Sequence, residues 1–285
     1  MNTPDQTIRV EPRLQLDDLR TAIREEYEAV ACNPGRGFHF HTGRKLTQIL
    51  GYDEKWFEKI PESNIESFAG TGNPFRIQPI VAGERIVDVG CGAGMDSLIA
   101  ATKSVPGGKV IGVDMTPSMI RKAQQAARDS GIPNVDFRID YAEDLPVNDD
   151  WADVIISNGV LNLTPDKSAT LREMARVLKP SGRLQIADIL VSSPVPLQSK
   201  QKVELWTGCI AGALMEKELK MFTVNAGFVD LKISWWADVY DGAPQASSAA
   251  HFGTVGINFY ARKAKNRKEW QDEMDNRSLL YNEIN

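Results

Sequence analysis

The amino-acid sequence predicts an α/β fold with a doubly wound, mainly parallel seven-stranded sheet. The apolar residues Ile86, Val87 and Val89 form a short strand that runs into a glycine turn and an alanine-rich helix at 95–102. This succession is typical of the first half of a nucleotide-binding βαβ unit. Short runs rich in Val and Ile then alternate with segments of helical periodicity as far as residue 190, and two further strand patterns follow.

The composition is that of an ordinary globular protein. Of the 285 residues, 42% are hydrophobic and 25% are charged, and the net charge is −5. The chain is large enough to need no disulfides, and its three cysteines are too scattered for a disulfide framework. It shows no signal peptide, no apolar run near the ~20 residues of a membrane span, and no long basic run before the C-terminal tail. We therefore expect a cytoplasmic monomer or homodimer without a membrane or nucleic-acid partner.

Residues 1–83 do not fit a nucleotide-binding sheet, and they predict an N-terminal helical cap that folds over the binding site. We expect disorder over residues 1–13. Apolar residues at three- and four-residue steps then predict an amphipathic helix over 14–31. The sequence Phe-His-Phe-His at 38–41 has a period of two, so an extended chain would turn both histidines to one side. A second helix is expected over 42–50.

Residues 84–195 predict the core of the sheet. After the first strand and helix we expect strands at 109–114, 135–139, 153–157 and 183–190, a helix at 117–130, and a helix that opens at Thr164 and Pro165 and ends before Pro180. This alternation of strands and helices is the pattern that predicts a doubly wound, mainly parallel sheet.

A proline-rich stretch at 192–196 marks a boundary after this core. The segments expected beyond it are a second helical cap at 196–226, the last two strands of the core within 227–263, and a charged tail at 264–285 that is a fraying helix or disordered. We place the last two strands at 228–236 and 257–262. The small-residue loop at 241–250 between them is expected to be mobile.

The glycine turn after the first strand indicates a ligand with a positive charge. Gly90, Gly92 and Gly94 give the pattern G-x-G-x-G, whereas the dinucleotide fingerprint G-x-G-x-x-G needs a glycine where this sequence has Met95. Asp88 lies just before the turn, and a carboxylate there would repel a pyrophosphate but suits an ammonium group. A nicotinamide oxidoreductase is therefore a poor alternative. A tight turn without a function is an alternative for the glycines taken alone.

The end of the second strand indicates an adenosine-type cofactor. Asp114 lies roughly 20 residues beyond the turn, the separation expected of an acid that accepts hydrogen bonds from both ribose hydroxyls. Met115 follows and is placed to lie along the adenine face. Thr116 is the better helix N-cap, with Pro117 at the first helical position, which leaves the Asp114 carboxylate for the ribose.

Two further strand ends supply candidate contacts, because ligands of open α/β sheets bind beyond the carboxyl ends of the strands. In the turn after the third strand, we expect the backbone N–H at Ala142 to donate to adenine and the Glu143 carboxylate to accept from its amino group. A solvated loop acid is an equal alternative for Glu143. Asn158 ends the fourth strand and is a candidate ligand by its position.

Three side chains outside the strand ends are candidates for chemistry on a second substrate. His39 or His41 is able to act as a base toward a hydroxyl or amine, although a packed or surface histidine is the commoner role in a cap. Cys209 in the second cap is a further candidate, and packing alone would make it buried and inert. Cys91 is expected to be structural. Since His-x-His finds no further ligand except His251, we expect no metal site.

Taken together, these segments resemble the arsenite methyltransferases, a branch of the class I methyltransferases that use S-adenosylmethionine. The resemblance rests on GVDMTPSMI at 112–120, SNGVLNLTPDK at 157–167, LREMARVLKPSGRLQIADI at 171–189 and LWTGCIAGAL at 205–214. It implies a Rossmann-like methyltransferase fold with S-adenosylmethionine as the cofactor. The cofactor contacts that the resemblance carries over are Gly90, Gly92, Asp114, Met115, Glu143 and Asn158.

The sequence departs from this family at two positions. The family binds trivalent arsenic through cysteine thiolates, and this sequence has Thr71 and Gly159 where two of those cysteines fall. Only Cys209 stands at a matching position. The departure predicts a retained fold and cofactor but a changed acceptor site. The side chains expected to line that site are His39, His41, Asn162, Trp206 and Cys209.

We therefore expect a methyltransferase for a small-molecule methyl acceptor, with His41, His39 and Cys209 as the candidate catalytic residues. Two alternatives stay open. One is methylation of arsenite or a related metalloid, with Cys209 and the sulfur of external thiols such as glutathione as its ligands. The other is a non-catalytic protein that binds S-adenosylmethionine as a sensor, against which the two elaborate caps argue.

Overall fold

The computed structural model describes residues 15–282, with side chains described as far as residue 276. At its centre lies a seven-stranded sheet, which confirms the predicted fold class. The strands are β1 (Arg85–Val89), β2 (Lys109–Asp114), β3 (Val135–Ile139), β4 (Ala152–Asn158), β5 (Leu178–Leu190), β6 (Phe228–Ala237) and β7 (Val255–Lys263). Their order is β3-β2-β1-β4-β5-β7-β6, and β7 runs antiparallel to both of its neighbours. The disorder expected over 1–13 lies outside the described residues.

Helices cover both faces of the sheet and form the two caps. They are α1 (Leu16–Cys32), α2 (Gly43–Ile49), α3 (Glu62–Glu66), α4 (Met95–Lys103), α5 (Pro117–Asp129), α6 (Lys167–Val177), α7 (Leu197–Lys200), α8 (Val203–Thr207), α9 (Glu216–Asn225), α10 (Ala246–Phe252) and α11 (Arg267–Asn282). Apolar residues of α4 and α5 pack on one face, and those of α6 and α9 pack on the other. No helix of the described chain is long and apolar enough to cross a bilayer.

The central strands are buried on both faces. Ile86 and Ile156 belong to the apolar layer under α4 and α5, whereas Val87 and Ile155 belong to the layer under α6. Successive strand residues point to opposite faces, and burial of each such side chain contributes about 1.5–3 kcal/mol. This two-sided burial holds the carboxyl ends of β1, β2 and β4 side by side at one edge of the sheet.

The turn between β1 and α4 requires glycine at two positions. Gly90 has a φ of 73°, and a Cβ atom there would lie 2.1 Å from Cγ2 of Val160. Gly94 has a φ of 86°, and its Cβ atom would lie 2.8 Å from that of Ala123. The left-handed conformation costs other residues about 1–2 kcal/mol, and these contacts leave no room for a side chain. The N–H group of Gly90 donates to the carbonyl of Val113 at 2.8 Å, which fixes the turn against β2.

The N-terminal segment packs as a cap over the carboxyl edge of the sheet. The hydroxyl of Ser67 donates to the carbonyl of Val30 at 2.9 Å, which joins the end of the cap to α1. The side-chain amide of Asn64 donates to the carbonyl of Ala93 at 2.7 Å and to that of Lys122 at 3.2 Å. These bonds attach the cap to the glycine turn and to α5, so the cap covers the ends of β1 and β2.

The helix after β4 begins later than the sequence predicts. It starts at Lys167 rather than at Thr164 and Pro165, because the Asp166 carboxylate accepts a hydrogen bond from the N–H group of Ala169 at 2.8 Å and caps the helix there. A Thr-Pro start and an Asp start are both good N-terminal signals, and only the packed chain decides between them.

One C-terminal segment differs from the prediction. The loop at 241–250, expected to be mobile, contains the start of α10 at Ala246, because the buried Phe252 anchors this helix. Of the two alternatives expected for the charged tail, the structure has the helix, α11. The indole N–H of Trp270 on this helix donates to the carbonyl of Val224 at 2.7 Å, which attaches the tail to α9.

Candidate active site

A cavity of about 120 Å³ lies between the cap and the carboxyl ends of β1, β2 and β4. It is lined by eight of the nine residues predicted to contact the cofactor: Asp88, Gly90, Gly92, Asp114, Met115, Ala142, Glu143 and Asn158. Gly94 is the exception, because it packs against Ala123 and Phe137 behind the turn. The cap contributes Arg20 and Tyr27 to the same lining.

Five acidic side chains line this cavity, and three of them, Asp88, Asp96 and Asp114, have raised pKa values. Asp88 is 2% exposed and Asp96 is 6% exposed, whereas Asp114 is half-buried. Burial raises the pKa of all three carboxyl groups. The pKa of Asp88 lies well above the usual range, that of Asp96 is raised to about 6, and that of Asp114 is also raised. Hydrogen-bond donors rather than cations oppose this rise. A ligand with ammonium and sulfonium charges therefore fits this set of groups, since it would stabilise the ionised carboxylates.

Asp114 is held in place by the glycine turn. Its two carboxylate oxygens accept hydrogen bonds from the N–H groups of Gly92 at 2.9 Å and Thr116 at 2.8 Å. A carboxylate has about four acceptor positions, so two remain for ribose hydroxyls. The backbone at Gly92 is also open to a ligand, because the nearest atom to a Cβ placed there is Sδ of Met119 at 4.0 Å.

Glu143 is an ion-paired side chain rather than a solvated loop acid. Arg20 on α1 donates to its Oε1 at 3.2 Å, and the Arg20 guanidinium lies 4.6 Å from the centre of the Tyr141 ring. Helix α1 thereby closes the cavity at the loop after β3. The sequence pattern does not reveal Arg20, because its partners lie more than 120 residues further along the chain.

Asn158 lines the cavity, but its polar atoms are engaged with the cap. Its Oδ1 accepts from the N–H group of Thr71 at 2.7 Å, and its Nδ2 donates to the hydroxyl of Tyr52 at 3.0 Å and to Asp96 at 3.1 Å. Asn158 therefore ends β4 and lines the cavity, while its amide is used within the protein. Tyr52 and Asp96 are members of the site that the sequence analysis missed.

A second, smaller cavity of about 20 Å³ adjoins the first. The two share Tyr27, Ala69 and Gly70 in their linings. The other residues around the small cavity are Phe40, His41, Leu46, Thr71, Cys209, Val239 and Tyr240. None of these described residues is a lysine, arginine, aspartate or glutamate. Burial raises the pKa of Tyr27 and Tyr240 well above the usual range, so both keep neutral hydroxyl groups.

The two candidate histidines lie in different surroundings. His41 borders the small cavity, and its Nε2 donates to the carbonyl of Asp241 at 2.8 Å. A carbonyl only accepts, so the neutral ring carries its proton on Nε2 and keeps Nδ1 as an acceptor. His39 lies outside both linings, with Nε2 at 3.4 Å from Oγ1 of Thr207 and Nδ1 at 3.7 Å from Glu26. Residues 38–41 do not form a strand, so the condition for a common orientation of the two histidines is not met.

The three positions at which the resemblance predicts cysteine lie at the two adjoining cavities. Thr71 and Cys209 line the small one, Gly159 lines the large one, and a Cβ atom on Gly159 would lie 3.1 Å from Cγ2 of Thr71. The Oγ1 atom of Thr71 is buried, and no group of the described chain hydrogen-bonds to it. Burial, aided by the charge of Asp188, raises the pKa of Cys209 to about 12, so its sulfur is a neutral thiol at pH 7.

Two residues expected to line the acceptor site lie outside both cavities. The side-chain amide of Asn162 donates to Asp188 at 2.8 Å, and the indole of Trp206 donates to the carbonyl of Lys200 at 2.7 Å. Neither residue belongs to the lining of the two cavities. Across the side chains that the structure describes, no group of three or more histidine, cysteine or acidic residues is placed to hold a metal ion.

Comparison with known proteins agrees with this architecture. Residues 80–227 match a family described as a methyltransferase domain. The arsenite methyltransferase of Halobacterium salinarum is 38% identical over 232 residues, which are 76% of this chain and 59% of that protein. The human arsenite methyltransferase is 33% identical over 152 residues, which cover 50% of this chain and 40% of that protein. The chain thus spans about half the length of the curated relatives it matches.

A solved structure gives the same result for the fold. The crystal structure of an arsenic(III) S-adenosylmethionine methyltransferase from Chlamydomonas reinhardtii superposes with a TM-score of 0.61 and is 28% identical. The superposition covers 80% of this chain and 75% of that one. The predicted Rossmann-like methyltransferase fold and the resemblance to the arsenite methyltransferase branch are therefore confirmed.

Proposed function

We propose that this chain methylates a small, uncharged acceptor. The chain belongs to the methyltransferase domain family, and S-adenosylmethionine is its cofactor. The observation that carries the proposal is the pair of adjoining cavities. One is acidic and suits a cationic methyl donor, and the other is small, largely apolar and lined by uncharged groups. The shared wall of Tyr27, Ala69 and Gly70 would bring donor and acceptor together.

In this proposal the acidic cavity holds the cofactor through groups that the chain already orients. Asp114 would accept from the ribose, Glu143 and the N–H group at Ala142 would contact adenine, and the open backbone at Gly92 would let the cofactor approach closely. Asp88 and Asp96 would face the ammonium and sulfonium charges. S-adenosylmethionine supplies an electrophilic methyl group on its sulfonium when it is bound.

The work of the protein is then to align the acceptor atom and to exclude water. The cap covers the site, and Tyr27 would lie at the boundary between donor and acceptor. His41 is the base that the geometry favours, because Asp241 fixes its tautomer and leaves Nδ1 able to accept a proton. Cys209 as a neutral thiol is suited to pack against the acceptor rather than to act as a nucleophile.

Methylation of arsenite is the second candidate. It is favoured by the relatives, whose names specify arsenite, and by Cys209, which lines the small cavity at the family's matching position. It requires external thiols to replace two missing sulfur ligands and requires Cys209 to lose a proton that burial retains. Because of these requirements, arsenite is a less favoured acceptor than an uncharged organic molecule.

The test is release of S-adenosylhomocysteine with a panel of small alcohols, phenols, amines and thiols, after calorimetry has measured cofactor binding. We expect turnover with at least one uncharged acceptor. His41→Ala should reduce turnover about 100-fold or more if its acceptor is a hydroxyl or amine, and His39→Ala should reduce it less. Cofactor binding without turnover on any acceptor, arsenite included, would instead support a non-catalytic binding protein.

A further inference from the structure

We propose that Asn158, Asp96 and Tyr52 are positioning residues that hold the wall of the acceptor cavity in response to the charge in the cofactor cavity. We call these three side chains the Asp96 relay. The inference rests on the proposed function, because it takes the acidic cavity as the site of the methyl donor. It assigns to Asn158 a role different from direct contact with the cofactor.

Asn158 is the central member of the relay. Its Oδ1 accepts from the N–H groups of Thr71 at 2.7 Å and Gly72 at 3.2 Å. Its Nδ2 donates to Oδ2 of Asp96 at 3.1 Å, to the hydroxyl of Tyr52 at 3.0 Å and to the carbonyl of Gly72 at 2.9 Å. A flipped amide would set NH₂ against two N–H groups and oxygen against a carboxylate. The amide therefore has one favourable orientation, and Asp96 helps to impose it.

The segment that Asn158 holds is a wall of the acceptor cavity. Gly70 and Thr71 line that cavity. A Cβ atom on Gly70 would lie 2.5 Å from Nδ2 of Asn158, so only glycine lets the chain approach the amide this closely. Further along, the N–H group of Asn73 donates to Oδ1 of Asn258 at 3.0 Å. Because this bond attaches the C-terminal end of the segment 70–73 to β7, the position of Thr71 depends on its bond to Asn158.

Asp96 connects this wall to the cofactor cavity, which it lines at the start of α4. The hydroxyl of Tyr52 donates to Asp96 Oδ1 at 2.9 Å, and Asp88 on β1 is the acidic group that faces Asp96. Burial raises the pKa of Asp96 to about 6, while the hydrogen bonds from Asn158 and Tyr52 oppose the rise. A cation in the cavity favours the ionised carboxylate.

Ionisation of Asp96 strengthens the hold on the wall. Hydrogen bonds to an ionised acceptor are roughly twice as strong as neutral ones, and a protonated carboxyl group offers one acceptor fewer. A methyl donor with a sulfonium charge therefore fixes Asn158, and through it Thr71 and Gly72, more firmly than a thioether product does. The acceptor cavity takes its final form when the donor is bound.

The experiment is amide hydrogen exchange of the segment 70–73, monitored by mass spectrometry at about pH 5.5 with and without saturating S-adenosylmethionine, because Asp96 with its pKa of about 6 is largely protonated there in the free protein. In the wild type we expect cofactor to slow this exchange about tenfold or more, and S-adenosylhomocysteine to slow it less. Asn158→Ala should accelerate exchange in the free protein and remove the response to cofactor. Asp96→Asn keeps a hydrogen-bonding side chain of the same shape but cannot carry the charge. In this variant, exchange in the free protein should stay near the wild-type rate, and the slowing by cofactor should be weaker.

Asn134→Ala is the matched control, because the Asn134 amide also donates to backbone carbonyls, those of Ala101 and Gly108, but lies away from the cap. This variant should change neither the exchange rate of residues 70–73 nor the slowing of that exchange by cofactor. Full cofactor-dependent slowing in Asp96→Asn, or wild-type exchange in Asn158→Ala, would overturn the relay alone. Failure of the wild type to bind S-adenosylmethionine in calorimetry would overturn the proposed function as well, so the two failures are distinguishable.

Discussion

Gly159 lies close to the side chain of Thr71: a Cβ atom placed on Gly159 would lie 3.1 Å from Cγ2 and 3.5 Å from Oγ1 of Thr71. These are the two positions at which the resemblance predicts cysteine. They lie far apart in the sequence and meet only in the folded chain, where Gly159 lines the acidic cavity and Thr71 lines the small cavity beside Cys209. Two thiols at these positions would therefore share one continuous surface rather than occupy two unrelated sites.

Restoring both thiols should restore affinity for arsenite. The double variant Thr71→Cys/Gly159→Cys should bind arsenite about tenfold or more tightly than the wild type, because two soft ligands join the surface beside Cys209. Since Gly159 has a φ of 74°, a side chain there should cost about 1–2 kcal/mol of stability. Calorimetry with arsenite and thermal unfolding measure the two effects. The pair Thr71→Ser/Gly159→Ala imposes the same backbone strain without sulfur, and an equal gain in that control would contradict the explanation.

Asp114→Ala should weaken cofactor binding strongly. The variant loses the acceptor for the ribose and also the bond that holds Gly92 to the end of β2, and each bond to a charged group contributes about 1.5–3 kcal/mol. We expect Kd for S-adenosylmethionine to rise by about 10- to 100-fold in calorimetry. Asp136→Ala on β3, whose carboxylate pairs with Arg138 at the surface, is the control and should bind as the wild type does.

Cofactor affinity should fall as the pH falls below about 6. The pKa of Asp96 is raised to about 6 by burial, so its negative charge is present above that pH and is lost below it. A cationic ligand binds the ionised form better, and the Kd should therefore rise by up to about tenfold per pH unit between pH 6 and 5. Asp96→Asn should flatten this part of the profile. A profile that keeps its slope in the variant would assign the titration to another group.

The same pKa shift acts on folding with the opposite sign. Because the folded pKa of Asp96 lies above the usual 3.8, the unfolded chain ionises more readily, and this group lowers the stability of the free protein as the pH rises from about 4 to 6. Asp96→Asn should therefore make the free protein more stable than the wild type at pH 7 and no more stable near pH 4. Urea denaturation at the two pH values measures the difference.

Arg20→Ala should weaken cofactor binding only modestly. Arg20 connects α1 to Glu143 and Tyr141, yet the pair with Glu143 is partly exposed and such pairs contribute about 0.2–1 kcal/mol. The Kd for S-adenosylmethionine should rise about twofold to fivefold, with Arg24→Ala on the same helix as the control. Equal effects of the two substitutions would show that α1 acts through general packing instead of through this bridge.

The sheet and the acidic cavity are predictable from the sequence because local signals determine them. The apolar runs, the glycine turn and the acid at Asp114 can each be recognised from a few neighbouring residues. Eight of the nine expected contacts line one cavity. Gly94 does not line this cavity, because a glycine needed for helix packing looks the same in the sequence as one needed for a ligand. Asn158 was placed correctly at a strand end, but its engagement by Tyr52 requires knowledge of the cap.

The acceptor side depended on contacts that no local pattern encodes. The alternation at 38–41 suggested a shared face for two histidines, whereas tertiary contacts with Asp241 and Thr207 separate them. Asn162 donates to Asp188 because a buried polar group must find a partner, and the half-buried Trp206 donates to the carbonyl of Lys200. The neutral character of the cavity follows from burial, which the sequence alone does not determine.

The proposed function is methylation of a small uncharged acceptor in a site that lacks two of the thiols expected of an arsenic site. It is tested by S-adenosylhomocysteine release from the wild type and Cys209→Ser, with arsenite and glutathione or with the panel of organic acceptors. We predict release with an uncharged organic acceptor and none that depends on arsenite. Arsenite-dependent release that Cys209→Ser abolishes, without turnover of any organic acceptor, would contradict the claim.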